Sequence, residues 1–127
     1  MHYGRRAVAS ERLSVLELLA DLPLERVLRH HDVARINAIA AKPAGAHDVD
    51  TTEAFCVLGS LRRTATQLHL HHSTVASRIA HVESAMGWDL ADPIDRFTAT
   101  LVLFVRRIAL SAAELSVTGP TDVGQNP

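Results

Sequence analysis

The chain has 127 residues, 47% of them apolar but only 4% aromatic, and its 13 lysines and arginines nearly balance 14 carboxylates at a formal net charge of -1. That length allows one domain with a real core, and the excess of Ala, Leu and Val over aromatics favours helices. No apolar run approaches the roughly 20 uncharged residues needed to cross a bilayer, MHYGRRAVAS lacks a secretory signal's apolar stretch, and a single cysteine excludes an intrachain disulfide, so a cytoplasmic all-α protein is expected.

Residues 1–9 show no period and are expected to be mobile. Leu13, Leu16, Leu19 and Ala20 then recur at three and four, and a second run from Pro23 carries Leu24, Val27, Leu28, Val33, Ile36 and Ile39. Together 11–41 is expected to form a helical hairpin broken near Leu22, with Pro23 at a first helical position where its missing N–H costs nothing. The stretch KPAGAHDVD is the strongest internal break, so 42–50 is expected to be a linker to a second part spanning 51–116. There, Asp50 or Thr51 is expected to cap a short helix with Phe55, Val57 and Leu58 that ends at Gly59. Cys56 sits in that apolar run and is expected to be a buried, inert thiol.

From Ser60 to Met86 the chain reads SLRRTATQLHLHHSTVASRIAHVESAM, the outline of two short helices joined by a three-residue turn at His69, Leu70 and His71. Ser60 is placed to cap the first helix, whose outer side carries Arg62, Arg63 and Gln67. Ala65, Leu68, Leu70, Val75 and Ile79 fall where two helices crossing steeply need a small residue, an anchor, a turn plug and two further anchors. The second helix continues that line through Val82 and Met86, leaving Ser73, Ala76, Ser77, Ala80 and Ser84 on the opposite, short-chained side. From Ser60 to His81 there are three arginines, four histidines and no carboxylate. Subtracting this +3 from the total leaves -4 for the rest, so positive potential concentrates on the one segment with groove-reading geometry.

Gly87 is expected to end that helix in a left-handed cap, with Trp88 folded against its last turn. Asp92 and Pro93 read as cap and first position of a final helix. Its residues Ile94, Phe97, Leu101, Phe104, Val105 and Ile108 make one stripe, while Val102, Leu103, Ala109 and Leu110 add apolar surface on the other side. A helix apolar nearly all round calls for more cover than a small domain provides, so a dimer partner or a neighbouring domain is expected against it. The segment 117–127 gathers Gly, Pro, Thr, Asp and Asn and is expected to be a mobile tail. The fold class expected is thus a small all-α bundle of about six helices containing a helix-turn-helix.

The segments SLRRTATQL, HLHHSTVASRIAHVESAMGWDL and DPIDRFTATLVLFVRRI resemble the C-terminal DNA-binding domain of the PucR and carbohydrate-diacid-regulator family of bacterial transcription factors, over residues 51–110. Carrying the resemblance are LHLHHSTV followed by Arg78, then Gly87 with Trp88, then the Asp-Pro pair opening a helix that ends in paired arginines. It implies a recognition helix over about 72–86, an all-α bundle without a wing, and a ligand-responsive, dimeric regulator. Members usually carry a large N-terminal sensor, and none fits before residue 50, so the signal is expected from a sensor domain or partner outside these residues.

Base-edge and nearby backbone contacts are expected from His71, His72, Ser73, Ser77 and His81, because hydroxyls and imidazoles at a helix N-terminus reach groove acceptors and phosphates alike. Thr74 either caps the first turn or joins them. Arg62, Arg63 and Arg78 are expected on phosphates. The imidazoles gain charge below a pH of about 6.5, so duplex binding is expected to be tighter at acid pH. The partner expected is double-stranded DNA, bound by a homodimer formed through the C-terminal or the N-terminal helices. His69, His71 and His72 have no cysteine or carboxylate beside them in sequence, so no metal is expected, and no cofactor. Asp48, Asp50, Asp89, Asp92 and Asp95 all fall where helix capping explains them, and no nucleophile-and-base spacing or glycine-rich phosphate loop appears, so an enzyme is not expected. The competing reading is a helical interaction module whose helix-turn-helix binds protein instead of DNA.

Overall fold

The structure, a computed structural model, describes residue 21 and residues 23–124, with side chains through residue 114. Among the described residues there are six helices and no strand: α1 (Leu24–Arg29), α2 (His31–Ala40), α3 (Pro43–Leu58), α4 (Leu61–Leu68), α5 (His72–Met86) and α6 (Pro93–Gly124). The all-α expectation holds. The helix expected over Leu13–Ala20 and the N-terminal stretch 1–9 lie outside the described residues.

Two compact units divide the chain, His30–Phe104 and a second made of Met1–Arg29 with Val105–Pro127. In the second unit the described helical segments are α1 and the later part of α6, where Arg106 and Ala109 are buried and Arg107 is exposed. The α6 backbone stays helical to Gly124, beyond the point at Val117 where a tail was expected.

In the larger unit, α3 packs against α2, α4 and α5. Its start corrects the sequence reading: 42–50 is no linker, because Pro43 takes the first helical position behind an extended Lys42 and the helix runs on through Asp50 and Thr51 to Leu58. Neither Asp50 nor Thr51 is therefore a cap. Gly45, which reads as a helix breaker, is set against the carbonyl of Ile39 so closely that a Cβ there would collide with it. Close backbone approach, not flexibility, explains the glycine. Three side chains of α3, Val49, Thr51 and Thr52, are buried, and Thr52 Oγ1 donates to the Asp48 carbonyl at 2.8 Å.

Local chemistry sets the remaining boundaries. Gly59 ends α3 in the left-handed region (φ 77°), and Ser60 Oγ accepts from the Arg63 N–H at 3.2 Å to start α4. Gly87 ends α5 at φ 73°, and the Trp88 N–H returns to the Glu83 carbonyl at 3.0 Å. The connection to α6 is held by carboxylates: Glu83 Oε2 accepts from the Leu90 N–H (2.8 Å), Asp95 Oδ2 from the Asp89 N–H (2.9 Å) and Asp92 Oδ2 from the Asp95 N–H (3.1 Å). Asp89 Oδ1 in turn accepts from the Ala91 N–H (3.1 Å), so all three aspartates serve backbone donors, Asp92 at the start of α6 and the other two in the connection.

A core of Ala65, Val75, Ile79, Leu90 and Ala99 is flanked by Phe55, Cys56, Leu61, Leu70 and Trp88. Val82 and Met86 complete the buried line of α5 at the predicted spacings. Leu68 departs from expectation. It is 36% exposed, because His69 turns left-handed (φ 55°) and the Leu70 N–H bonds back to the Ala65 carbonyl at 3.0 Å, swinging Leu70 inward as the anchor. On α6 the inward side is Ala99, Val102 and Leu103, all buried, whereas Ile94 (73% exposed), Phe97 (70%), Leu101 (43%) and Phe104 (36%) point outward. Small Ala99 lets the helix approach the core closely, which selects the Ala99 face over the bulkier one.

Candidate nucleic-acid interface

The turn between α4 and α5 is built around two histidines. His69 adopts the left-handed conformation that histidine tolerates better than most side chains, and its N–H bonds to the Thr66 carbonyl at 3.3 Å. His71 is the N-cap of α5, its Nδ1 accepting from the Ser73 N–H at 3.2 Å and lying 2.8 Å from Ser73 Oγ. With Nδ1 turned to the backbone as the acceptor of this cap, Nε2 is the ring nitrogen left for an outside partner.

Beyond the cap, α5 turns Ser73, Ser77, Ala80 and Ser84 to solvent, opposite Val75, Ile79, Val82 and Met86. None of the four is longer than a serine, so the backbone itself can come near an opposing surface. On one flank of this face lies an open cleft of about 480 Å³ lined by Ala44, His47, Asp48, Ser73, Thr74, Ser77, Arg78 and His81. Five of the residues singled out in the sequence, Ser73, Thr74, Ser77, Arg78 and His81, therefore come together. Thr74 and Arg78 are half-buried and the other three exposed. Arg62 and Arg63 lie apart from them, exposed on α4 around a smaller depression with Leu58, Thr66 and Gln67. His71 and His72, both exposed, stand at the start of α5.

Two side chains in the cleft are tethered. Arg78 Nη1 donates to the buried Thr51 Oγ1 at 3.2 Å, which fixes the guanidinium along α3. Nδ1 of His81 donates to Asp48 Oδ2 at 3.2 Å, since a carboxylate can only accept. Asp48 changes the electrostatic picture: the window from Ser60 to His81 has no carboxylate of its own, yet the fold brings one to its edge. His47 and Asp48 were missed as cleft residues because both lie in the stretch expected to be a linker. The signal was Pro43 followed by Ala44 and Ala46, a helix start masked by Gly45. Arg35 of α2 donates to the Ala85 carbonyl at 2.7 Å, satisfying a terminal acceptor of α5 and offsetting the negative end of its dipole.

Residues 49–105 match the model of the PucR C-terminal helix-turn-helix domain. Over that span the chain is similar to the DNA-binding domain of PucR-type regulators. No curated protein and no solved structure matches the chain. The matched span takes in most of α3, all of α4 and α5, and α6 as far as Val105, so the similarity covers the turn, the exposed face of α5 and the outward stripe of α6. Ala44, His47 and Asp48 precede it, and the cleft is thus lined in part from outside the matched span. Among the described residues, no group of three or more His, Cys, Asp or Glu is placed to hold a metal ion, and no helix is long and apolar enough to cross a membrane.

Proposed function

We propose that the protein is a sequence-specific transcription regulator that binds duplex DNA by laying α5 in the major groove. The observation that carries this reading is the open outer face of α5, where Ser73, Ser77, Ala80 and Ser84 stay exposed while the opposite face is buried. A serine-lined helix lets its backbone approach base edges, with Ser73 and Ser77 as hydrogen-bonding groups and His72 and His81 at the margins. His71 contributes through its outward Nε2–H. Arg62 and Arg63 on α4, and Arg78 in the cleft, take phosphates on the two sides of the groove.

One such module makes a small contact with DNA, so the protein acts as a two-fold dimer on half-sites about one helical turn, or a multiple of it, apart. It works by binding, not by catalysis, inside the cytoplasm, and takes its signal from a sensor domain or partner protein. A rival reading, in which the helix-turn-helix serves protein contacts, draws on the exposed apolar side of α6. The two are separated by titrating the protein against random and selected duplexes over a salt series. The regulator reading expects salt-dependent binding that the combined Arg62→Ala, Arg63→Ala and Arg78→Ala variant abolishes while staying folded. Absence of salt-dependent affinity in the unmutated protein would overturn it.

A further inference from the structure

The outward side of α6 is an ordered seam. Ile94, Phe97, Leu101 and Phe104 follow one another at spacings of three, four and three, and Ile108 continues the sequence pattern at four. These are the a and d positions of a heptad repeat, the spacing that keeps one side of a helix facing a partner helix. The opposite side of the same helix is already committed, with Ala99, Val102 and Leu103 buried. The fold therefore leaves Ile94 and Phe97 largely uncovered and Leu101 and Phe104 covered only in part.

We propose that the seam is the surface on which a second copy of this chain packs, its four side chains set against the same four of the other copy. Charge favours a second copy over an unlike partner. Two identical helices bring identical charges face to face, and from Phe97 to Val105 the helix has none to bring. A surface kept for an acidic or basic peptide would need a charged rim to steer it. Area is consistent with self-pairing too. With roughly 200 Å² for a whole phenylalanine, Phe97 at 70% and Phe104 at 36% present about 200 Å² between them, and Ile94 and Leu101 bring the total for one copy to about 400 Å². Two copies then bury roughly 800 Å² from these four residues alone, the size of a weak, transient contact rather than an obligate one. A contact that small belongs to a reversible dimer, not a permanent one. The inference supplies the surface for the dimer proposed above, but the pairing itself needs no DNA.

Sedimentation equilibrium of the full chain without DNA, from about 1 to 100 µM, tests it. The unmutated protein is expected to be dimeric in that range, and Phe97→Glu to raise the dimer dissociation constant at least about thirtyfold with an unchanged far-UV circular dichroism spectrum. Val57→Glu, at another exposed apolar position (56%) off the seam, is expected to leave the dimer intact. A chain that stays monomeric throughout overturns the proposal, as does a dimer that Phe97→Glu leaves whole or that Val57→Glu breaks equally. The monomeric variant should still bind a single half-site with the salt slope of one protomer, so a failure of DNA binding is read separately from a failure of pairing.

Discussion

Asp48 and His81, 33 residues apart in sequence, meet at 3.2 Å on the rim of the cleft beside the exposed face of α5. The carboxylate orients the ring, but it also sets a negative charge beside the path proposed for the phosphates. Asp48→Asn keeps an acceptor for Nδ1 and removes the charge. A like charge several ångströms away in water costs about 0.5–1 kcal/mol, so this variant is expected to bind duplex DNA about two- to fivefold more tightly at low salt. The gain should fade toward 0.5 M, where screening shortens to a few ångströms. Fluorescence anisotropy on one labelled duplex measures it, and weaker binding would argue that phosphates pass elsewhere.

The three arginines are expected to differ. Arg62 and Arg63 are exposed on α4, so Ala at either position should remove about one unit from the slope of log K against log salt and leave stability unchanged. Arg78 is also bonded to Thr51, so Arg78→Ala should show the same loss of slope together with about 0.5–1.5 kcal/mol of lost stability. Urea denaturation beside the salt titration resolves the two effects. A slope unchanged by all three substitutions would remove the phosphate assignment.

What the sequence disclosed of this fold was its local chemistry. Ser60, Gly59, Gly87 and the Asp92–Pro93 pair are where they were expected because a cap is decided by a few neighbouring backbone groups. The buried line Val75, Ile79, Val82 and Met86 was legible for a similar reason, as one period on one helix with serines opposite. Periodicity failed on α6, where both sides are apolar and nothing in the spacing says which one small Ala99 draws onto the core. It failed at Leu68 as well, because the left-handed His69 hands the anchoring role to Leu70. Most of the candidate interface was visible as a polar face, but Asp48 and His47 were not, since their presence depends on α3 continuing through a glycine that only the neighbouring turn explains.

That glycine makes a prediction opposite in sign to helix propensity. Gly→Ala in an open helix interior stabilises by about 1 kcal/mol. At Gly45 the added methyl would meet the Ile39 carbonyl, which is backbone and can move only if the turn between α2 and α3 opens. Gly45→Ala is therefore expected to destabilise by about 1–3 kcal/mol, the usual range for overpacking. Thermal denaturation checks the sign directly, and a gain in midpoint would mean that the two helices do not approach this closely.

Cys56 gives the chain a stability change at alkaline pH. Burial pushes its thiol above the ordinary value, with Glu53 adding to the rise and the Thr100 hydroxyl and Arg96 pulling part of it back. The raised value belongs to the folded state. Below about pH 8 both states hold the proton and Cys56 contributes no pH dependence. Above about 8.5 the unfolded thiol ionises first, so stability falls by up to about 1.4 kcal/mol per pH unit until the folded thiol ionises too. Cys56→Ala should remove this component, read as the difference between the two proteins in urea denaturation from pH 7 to 10. Identical pH profiles would show that Cys56 ionises as readily folded as unfolded.

His69 is the one non-glycine residue at positive φ among the described residues, at 55°. A non-glycine side chain held there costs about 1–3 kcal/mol, while glycine adds about 0.5–1 kcal/mol of disorder to the unfolded chain. His69→Gly is accordingly expected to stabilise the domain by about 0.5–1 kcal/mol. The ring is exposed and lies outside the cleft, so duplex affinity should stay within about twofold at pH 8. A stable variant with sharply weaker binding at that pH would instead make the ring a direct DNA contact, and would extend the proposed interface from the start of α5 back across the turn to α4.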